Sequence, residues 1–223
     1  MIRKQKLTAI VAVRAGSERV PNKNIKTFNG TTLLDIKLRQ LKKINYIDEI
    51  IVSSDSKRML NIAKKYKILT HRRETYFASS KATNSEFFQN LAENIDSDYI
   101  MYAPVTAPLI KEKTIIRCIK YLQKNYKFKS VATVKLMKHH MWLNNKPLNY
   151  NVKKAPSSQD LPNIMAITFG CCILKKKDMI KFKNVVTDKT KFFKLDEIES
   201  IDIDNELDFE FAQFVHKKFH KIN

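Results

Sequence analysis

The sequence predicts an α/β fold, a mainly parallel, doubly wound (Rossmann-like) sheet with helices on both faces, in a single domain of 223 residues. Three observations predict it. Short apolar runs of strand length alternate with segments of 3.6-residue periodicity along the chain. The first apolar run, Leu7 to Val13, opens into a cation-rich loop, and the C-terminal end of a first strand is where open α/β sheets bind ligands. No internal repeat, low-complexity tract or linker divides the chain, which suits one domain of ordinary size.

The elements follow in order. After the loop, Asn29-Gly30 signals a turn, and a helix starts near Thr31 or Thr32 with Leu34, Leu38 and Leu41 on one face. Glu49 to Ser53 reads as the second strand, and the next helix turns Met59, Ile62, Ala63 and Tyr66 inward. His71 to Asn84 is polar and reads as a loop. Thr83 and Glu86 then form a capping box ahead of a helix with Phe88, Leu91, Ala92 and Ile95 on its apolar face. Asp98 to Ala103 is a third strand. Ile115, Cys118, Ile119 and Leu122 recur at helical spacing, which makes Cys118 a core residue. Ser130 to Val134 and Met165 to Leu174 read as strands, and between Met137 and Pro162 the periodicity fails. His139 and His140 lie in that segment; neighbours on an extended chain point to opposite faces and do not share one metal ion. The last helix follows Asp204, with Leu207, Phe211, Phe214 and Val215 inward, an acidic first turn, and Lys217 and Lys218 in its last turn, as the macrodipole prefers.

Composition bounds the function. Hydrophobic residues make up 43% of the chain, enough for a core. No apolar run reaches the roughly 18 residues needed to cross a bilayer. The basic stretch Met1 to Lys6 leads into the first strand with no small-residue cleavage site, so the expected location is cytoplasmic. The three cysteines, Cys118, Cys171 and Cys172, contain no C-x-x-C pair and fit a reducing compartment. The net charge of +20 has two readings, a nucleic-acid footprint or composition bias. The lysines scatter over every predicted helix, whereas a footprint is clustered, so no nucleic-acid partner is expected. Positive potential does help steer an anion such as a nucleoside triphosphate.

Two stretches carry the chemistry. In the first, Arg14, Arg19 and Lys23 can meet phosphate oxygens, with backbone N–H groups adding to the cradle. Gly16 is one of only three glycines, and is expected where a Cβ would clash or where φ is positive. Neither the P-loop nor the dinucleotide fingerprint is present. A basic surface loop that binds nothing has the same composition. The second stretch is Glu199 to Asp208. Ile201 to Ile203 alternates as a short strand, so Asp202 and Asp204 share a face. Two carboxylates so close suit a hard cation such as Mg²⁺. The alternative is that Asp204 caps the following helix and Asp202 is solvated.

The first stretch resembles the signature of the acylneuraminate (CMP-sialic acid) cytidylyltransferase family, roughly A-R-x-G-S-x-x-x-P-x-K-N. Arg14, Gly16, Ser17, Pro21, Lys23 and Asn24 fit it. The second is similar to that family's S-I-D-I-D-x-x-x-D-L run, and the turn Pro104 to Leu109 is similar to its Q-P-T-S-P-L-R, with Ala103 for Gln and Ile110 for Arg. The resemblance spans nearly the whole chain in order. It implies a nucleotidyltransferase that couples CTP to an acidic sugar, releasing pyrophosphate. Arg14 and Lys23 would hold the triphosphate, Gly16, Ser17 and Asn24 would complete the nucleotide site, and Asp202 and Asp204 would hold Mg²⁺. Arg73, or Arg72 if the alignment slips by one, would border the base beside Ala78 to Thr83. The segment 137–162 would project as an arm that pairs two subunits in a homodimer. No general base follows from the sequence. The open alternatives are another base or a non-sugar acceptor on the same fold, or a non-catalytic nucleic-acid-binding protein. Relatives that use sialic acid carry a Gln at the third strand's end and Arg-Pro-Asn-Gly before the return strand. This chain offers Ala103, and one hydroxyl with no cation in Met165 to Cys172. The expectation is therefore a different acidic acceptor, with Lys153 or Lys154 of the arm as substitute cations.

Overall fold

The structure, a computed structural model, describes residues 5–220. Of the basic stretch named above, residues 1–4 lie outside the described residues. The chain begins with β1 (Leu7–Ala12), almost wholly buried. A short hairpin, β2 (Thr27–Phe28) and β3 (Thr31–Thr32), follows the basic loop. Its turn residues Asn29 and Gly30 have φ of 49° and 78°, the left-handed pair that such a hairpin needs. Next come α1 (Leu33–Lys42), β4 (Glu49–Ser54), α2 (Lys57–Lys65) and β5 (Leu69–Arg72). Then follow α3 (Asn84–Glu93), β6 (Tyr99–Tyr102), α4 (Glu112–Lys124) and β7 (Ser130–Met137). A small hairpin, β8 (Trp142–Leu143) with β9 (Lys146–Pro147), precedes β10 (Ile164–Lys175), α5 (Lys176–Phe182), β11 (Thr190–Lys194) and α6 (Glu206–His220).

Seven strands form the central sheet in the order β11-β7-β10-β6-β1-β4-β5. The pairs of β1 with β4 and β6, of β4 with β5 and of β7 with β11 are parallel. Only β10 is antiparallel, to β6 and β7. One core layer joins the sheet to α1, α2, α4 and α6, and the other joins it to α3 and α5. The expected α/β architecture with a mainly parallel sheet and helices on both faces is present. Local signals start the helices where they were expected. The Thr32 hydroxyl accepts from the Asp35 N–H, and the Thr83–Glu86 capping box is complete.

Four expectations need correction. The polar stretch from His71 is not all loop, because His71 and Arg72 end the edge strand β5, opposite Ser53 and Ser54 of β4. An edge strand is half exposed, so no apolar run marks it. The strand at Ser130 continues to Met137. Ile201 to Ile203 is not a strand; it forms no ladder pair. Finally, α6 buries Phe209, Ala212 and Val215, while Leu207, Phe211 and Phe214 face outward. Phe28 selects that face. Its ring meets Phe209 edge-on at 5.3 Å and His216 at 5.2 Å.

Segment 138–163 leaves the sheet between β7 and β10. It holds the small hairpin and two single 3₁₀ turns, and it exposes Trp142, Leu143, Leu148 and Val152.

A buried lysine organises the turn after β6. Lys37 of α1 is fully buried, and its ammonium donates to Gln40 Oε1 and to the Ala107 carbonyl, both at 2.9 Å. The Gln40 amide in turn donates to the Ile110 carbonyl. Burial pulls the Lys37 amine down to about 8. An unfolded lysine keeps its proton to higher pH, so between about 8 and 10.5 the unfolded chain binds more protons and stability rises with pH. We expect the stability difference between wild type and Lys37→Met to shift in favour of wild type by about 2–3 kcal/mol between pH 7.5 and 10. Urea unfolding of both proteins at the two pH values measures it. A pH-independent difference would show that the amine titrates normally.

Candidate active site

The loop after β1 is pinned at its base. Val13 N–H donates to the Ser53 carbonyl and Ala15 N–H to Asp55 Oδ1, both at 3.0 Å. Asn22 sits at φ 54° and starts a 3₁₀ turn over Lys23–Ile25. The buried Asn24 amide donates back to the Arg14 carbonyl at 3.0 Å, so Asn24 acts first as the strut that shapes the loop. Gly16 meets neither expectation made for it. A Cβ there would find nothing within 4 Å, and its φ is not in the left-handed region. The constraint appears instead at Gly30, by φ, and at Gly170, where a Cβ would stand 3.2 Å from Ile110 Cδ1.

Beside this loop lies a cleft of about 520 Å³, lined by Arg14, Ser17, Lys23, Asn24, Arg73 and Tyr102 among others. Arg14 is half-buried and donates to the Ala78 carbonyl at 3.3 Å. Lys23 donates to the Ile203 carbonyl at 2.6 Å. Burial lowers its pKa, against the charges of Asp204 and Asp202, which raise it.

Of the two arginines, Arg73 faces the cleft and Arg72 is exposed outside it. Arg73 follows β5 directly, and its N–H extends the ladder to the Ser54 carbonyl. Its Nη2 donates to the Val13 carbonyl at 2.6 Å, and its guanidinium lies 5.1 Å from the centre of the Phe87 ring. The Nε and Nη1 groups are buried and have no partner. Such orphaned donors are rare in native proteins and call for a ligand. Tyr102 is half-buried and lines the cleft, and desolvation pushes its phenol well above the ordinary value, so it stays neutral.

The second motif does not form a strand; Asp202 and Asp204 are not among the residues lining the cleft, but the motif touches its wall through Lys23, Arg19 and Thr106. Ile203 is fully buried and its N–H donates to the Thr106 carbonyl at 2.9 Å. With Ile203 turned inward, the charges of both flanking carboxylates favour the protonated Lys23. Burial raises the Asp202 pKa, Thr106 pulls it down by hydrogen bonding, and Asp204 adds to the rise. Asp202 Oδ1 is buried and unpartnered. Asp204 pairs with Arg19 at 2.7 Å.

The capping alternative for Asp204 fails. Asn205 Oδ1 accepts from the Asp208 N–H, and Asp208 Oδ2 accepts from the N–H groups of Asp204 and Asn205, all at 3.0 Å. That cap does not use the Asp204 carboxylate, which pairs with Arg19. Among the described residues no cluster of three or more His, Cys, Asp or Glu side chains could hold a metal. The pair nevertheless fits a cation that takes its other ligands from phosphates and water, since a buried unpartnered carboxylate oxygen is costly without one.

Sequence reasoning did not single out Thr106, Tyr102 or Phe87. Nothing local marks them, whereas Arg19 was named as one cation among three in the loop.

The family model described as Cytidylyltransferase matches residues 8–213. The chain is 27% identical over 228 residues to pseudaminic acid cytidylyltransferase of Campylobacter jejuni, covering 95% of this chain and 97% of that protein. It is 23% identical over 223 residues to CMP-N,N'-diacetyllegionaminic acid synthase of the same species, covering 92% of each. Its fold is similar to the solved structure of CMP:2-keto-3-deoxy-manno-octonic acid synthetase complexed with CTP, with a TM-score of 0.72 at 8% identity, over 96% of this chain and 99% of that one.

Proposed function

Since this chain belongs to the cytidylyltransferase family, we propose that it couples CTP to a nonulosonic acid, giving a CMP-sugar and pyrophosphate. The observation that carries this reading is the meeting of two motifs 180 residues apart, through Lys23 and Ile203, beside a buried arginine with two unpaired donors. Relatives named for pseudaminic and legionaminic acids support the acceptor class.

In this reading Arg14, Ser17 and Lys23 hold the triphosphate, with Asn24 keeping the loop in shape, and Arg73 meets the nucleotide with its free N–H groups. Asp202 and Asp204 would hold Mg²⁺, which when bound neutralises phosphate charge and helps align the attacking hydroxyl. Arg19 leaves Asp204 for a phosphate oxygen. The acceptor's hydroxyl oxygen bonds to the α-phosphorus as the bond to the bridging oxygen breaks. Pyrophosphate leaves and the hydroxyl proton goes to solvent. Positioning and charge neutralisation supply most of the rate in such transfers.

The test is incubation with each nucleoside triphosphate, Mg²⁺ and a panel of acidic sugars, read by pyrophosphate release. Release with CTP and a nonulosonic acid is expected. Release with another nucleotide, or none with any acid, would overturn the reading.

We propose that the chain works in the cytoplasm as a homodimer paired through segment 137–162. The exposed Trp142, Leu143, Leu148 and Val152 support this, since a run of that length inside a compact domain is uncommon without a function. Sedimentation should give a dimer at micromolar concentration, with Trp142, the single tryptophan, shielded from quenchers. A monomer with freely quenched Trp142 would refute it.

A further inference from the structure

The turn after β6 joins the second motif to the core. Residues 103–110 form neither helix nor strand, yet all of them except Thr106 are buried. A buried irregular segment must find partners for its carbonyl groups away from water. Pro104 and Pro108 lack the N–H groups that could pair within it, so partners come from outside. Helix α1 supplies two. Lys37 Nζ donates to the Ala107 carbonyl at 2.9 Å, and the Gln40 amide donates to the Ile110 carbonyl. The second motif supplies the next, since the Ile203 N–H donates to the Thr106 carbonyl at 2.9 Å. At the far end the Lys111 N–H donates to Glu199 Oε1 at 2.8 Å. Thr106 lines the cleft and hydrogen-bonds the Asp202 carboxylate. One path of contacts thus runs from α1 through Ala107 and Thr106 to Asp202.

Lysine is a costly residue at the start of that path. Lys37 is fully buried, both its acceptors are neutral amide oxygens, and among the described residues no carboxylate pairs with it. Lysine is almost never fully buried without a paired charge, so its bonds to the turn must offset the desolvation. The turn has no slack on its other side. A Cβ on Gly170 of β10 would stand 3.2 Å from Ile110 Cδ1 and 3.6 Å from Ala107 Cβ. Gripped between α1 and β10, the turn fixes where Thr106 stands.

Given the proposed role of Asp202 in holding Mg²⁺, we infer that Lys37 is a positioning residue of the active site. It fixes the turn from which Thr106 orients the Asp202 carboxylate.

The experiment measures Mn²⁺ binding to the CTP-loaded protein by electron paramagnetic resonance, with kcat and KM for CTP, at pH of about 7.5, below the Lys37 transition. The proteins are wild type, Lys37→Met, Asp202→Asn and the double variant. Loss of a group that orients a metal ligand costs about 10–100-fold in metal affinity or activity. Lys37→Met should therefore lower both Mn²⁺ affinity and kcat by about tenfold or more. Its KM for CTP should stay within about twofold, because Arg14, Ser17 and Lys23 are untouched. In the Asp202→Asn background the same substitution should change kcat by less than about twofold, since residues that act through one another are not additive. A merely structural loss would add in full. Gln40→Met decides the matter if Lys37→Met fails to fold. It takes the donor from the Ile110 carbonyl and an acceptor from Lys37, and should move the same two quantities in the same direction. Wild-type kcat and Mn²⁺ affinity in the folded variant, or a kcat loss undiminished in the Asp202→Asn background, would overturn the assignment while leaving CTP-dependent transfer intact. Mn²⁺ binding that survives Asp202→Asn would overturn the metal reading and this assignment with it. Absence of pyrophosphate release with every acid would instead overturn the proposed function, and Mn²⁺ affinity alone would then decide the role of Lys37.

Discussion

Asp202→Asn and Asp204→Asn should each lower kcat at least about a hundredfold, comparable to the loss of one preorganised electrostatic stabiliser, and the two should part company in stability. Asp202 is a half-buried carboxylate whose pKa desolvation has raised and whose buried Oδ1 has no partner. Replacing it by an isosteric amide removes a desolvated charge, so the folded protein should lose no Tm. Asp204 gives up an exposed ion pair with Arg19, a contact of a kind that contributes about 0.2–1 kcal/mol, so its Tm should fall slightly. Loss of activity without loss of fold separates a site residue from a structural one. Melting curves, turnover and the effect of excess chelator give the answer. Near-normal turnover in both variants, or full activity in chelator, would remove the metal from this pair.

Arg73→Lys should reduce kcat/KM for CTP by about 10–150-fold, because hydrogen bonds to charged groups contribute about 1.5–3 kcal/mol and lysine cannot reproduce the guanidinium fork. The variant also leaves the Val13 carbonyl without its donor at 2.6 Å, which should lower Tm. Arg72→Lys is the control. Arg72 is exposed, outside the cleft, and its replacement should leave both quantities unchanged. Equal effects of the two substitutions would show that charge near β5 matters and the specific buried guanidinium does not.

Legibility in the sequence followed burial. The inner strands β1, β4, β6 and β10 are covered on both faces and therefore read as apolar runs. The edge strand β5 is half exposed, with Leu69 in solvent, and vanished into a polar stretch. In α6 two apolar sets compete. Leu207, Phe211 and Phe214 form the bulkier set, yet the packing of Phe28 selects Phe209, Ala212 and Val215. Periodicity reports that a stripe exists and not which of two stripes meets the core.

The site divides the same way. Arg14, Lys23, Asp202 and Asp204 sit in short ordered motifs and could be named from sequence. Asp202 and Asp204 flank the buried Ile203, and no strand alternation places them there. Lys37 and Arg73 look like ordinary surface cations in one dimension, because their burial is decided by segments far away, the turn holding Ala107 and the end of β1 at Val13.

The distance along the chain between Lys23 and Ile203, 180 residues, also sets an order of events. At about 5–20 residues per second, the phosphate loop leaves the ribosome roughly 10–40 s before the acidic segment exists. A nascent chain thus carries the cation-rich loop well before it carries the two carboxylates proposed to hold the metal. On the proposed function, catalytic competence is the last property the growing polypeptide gains.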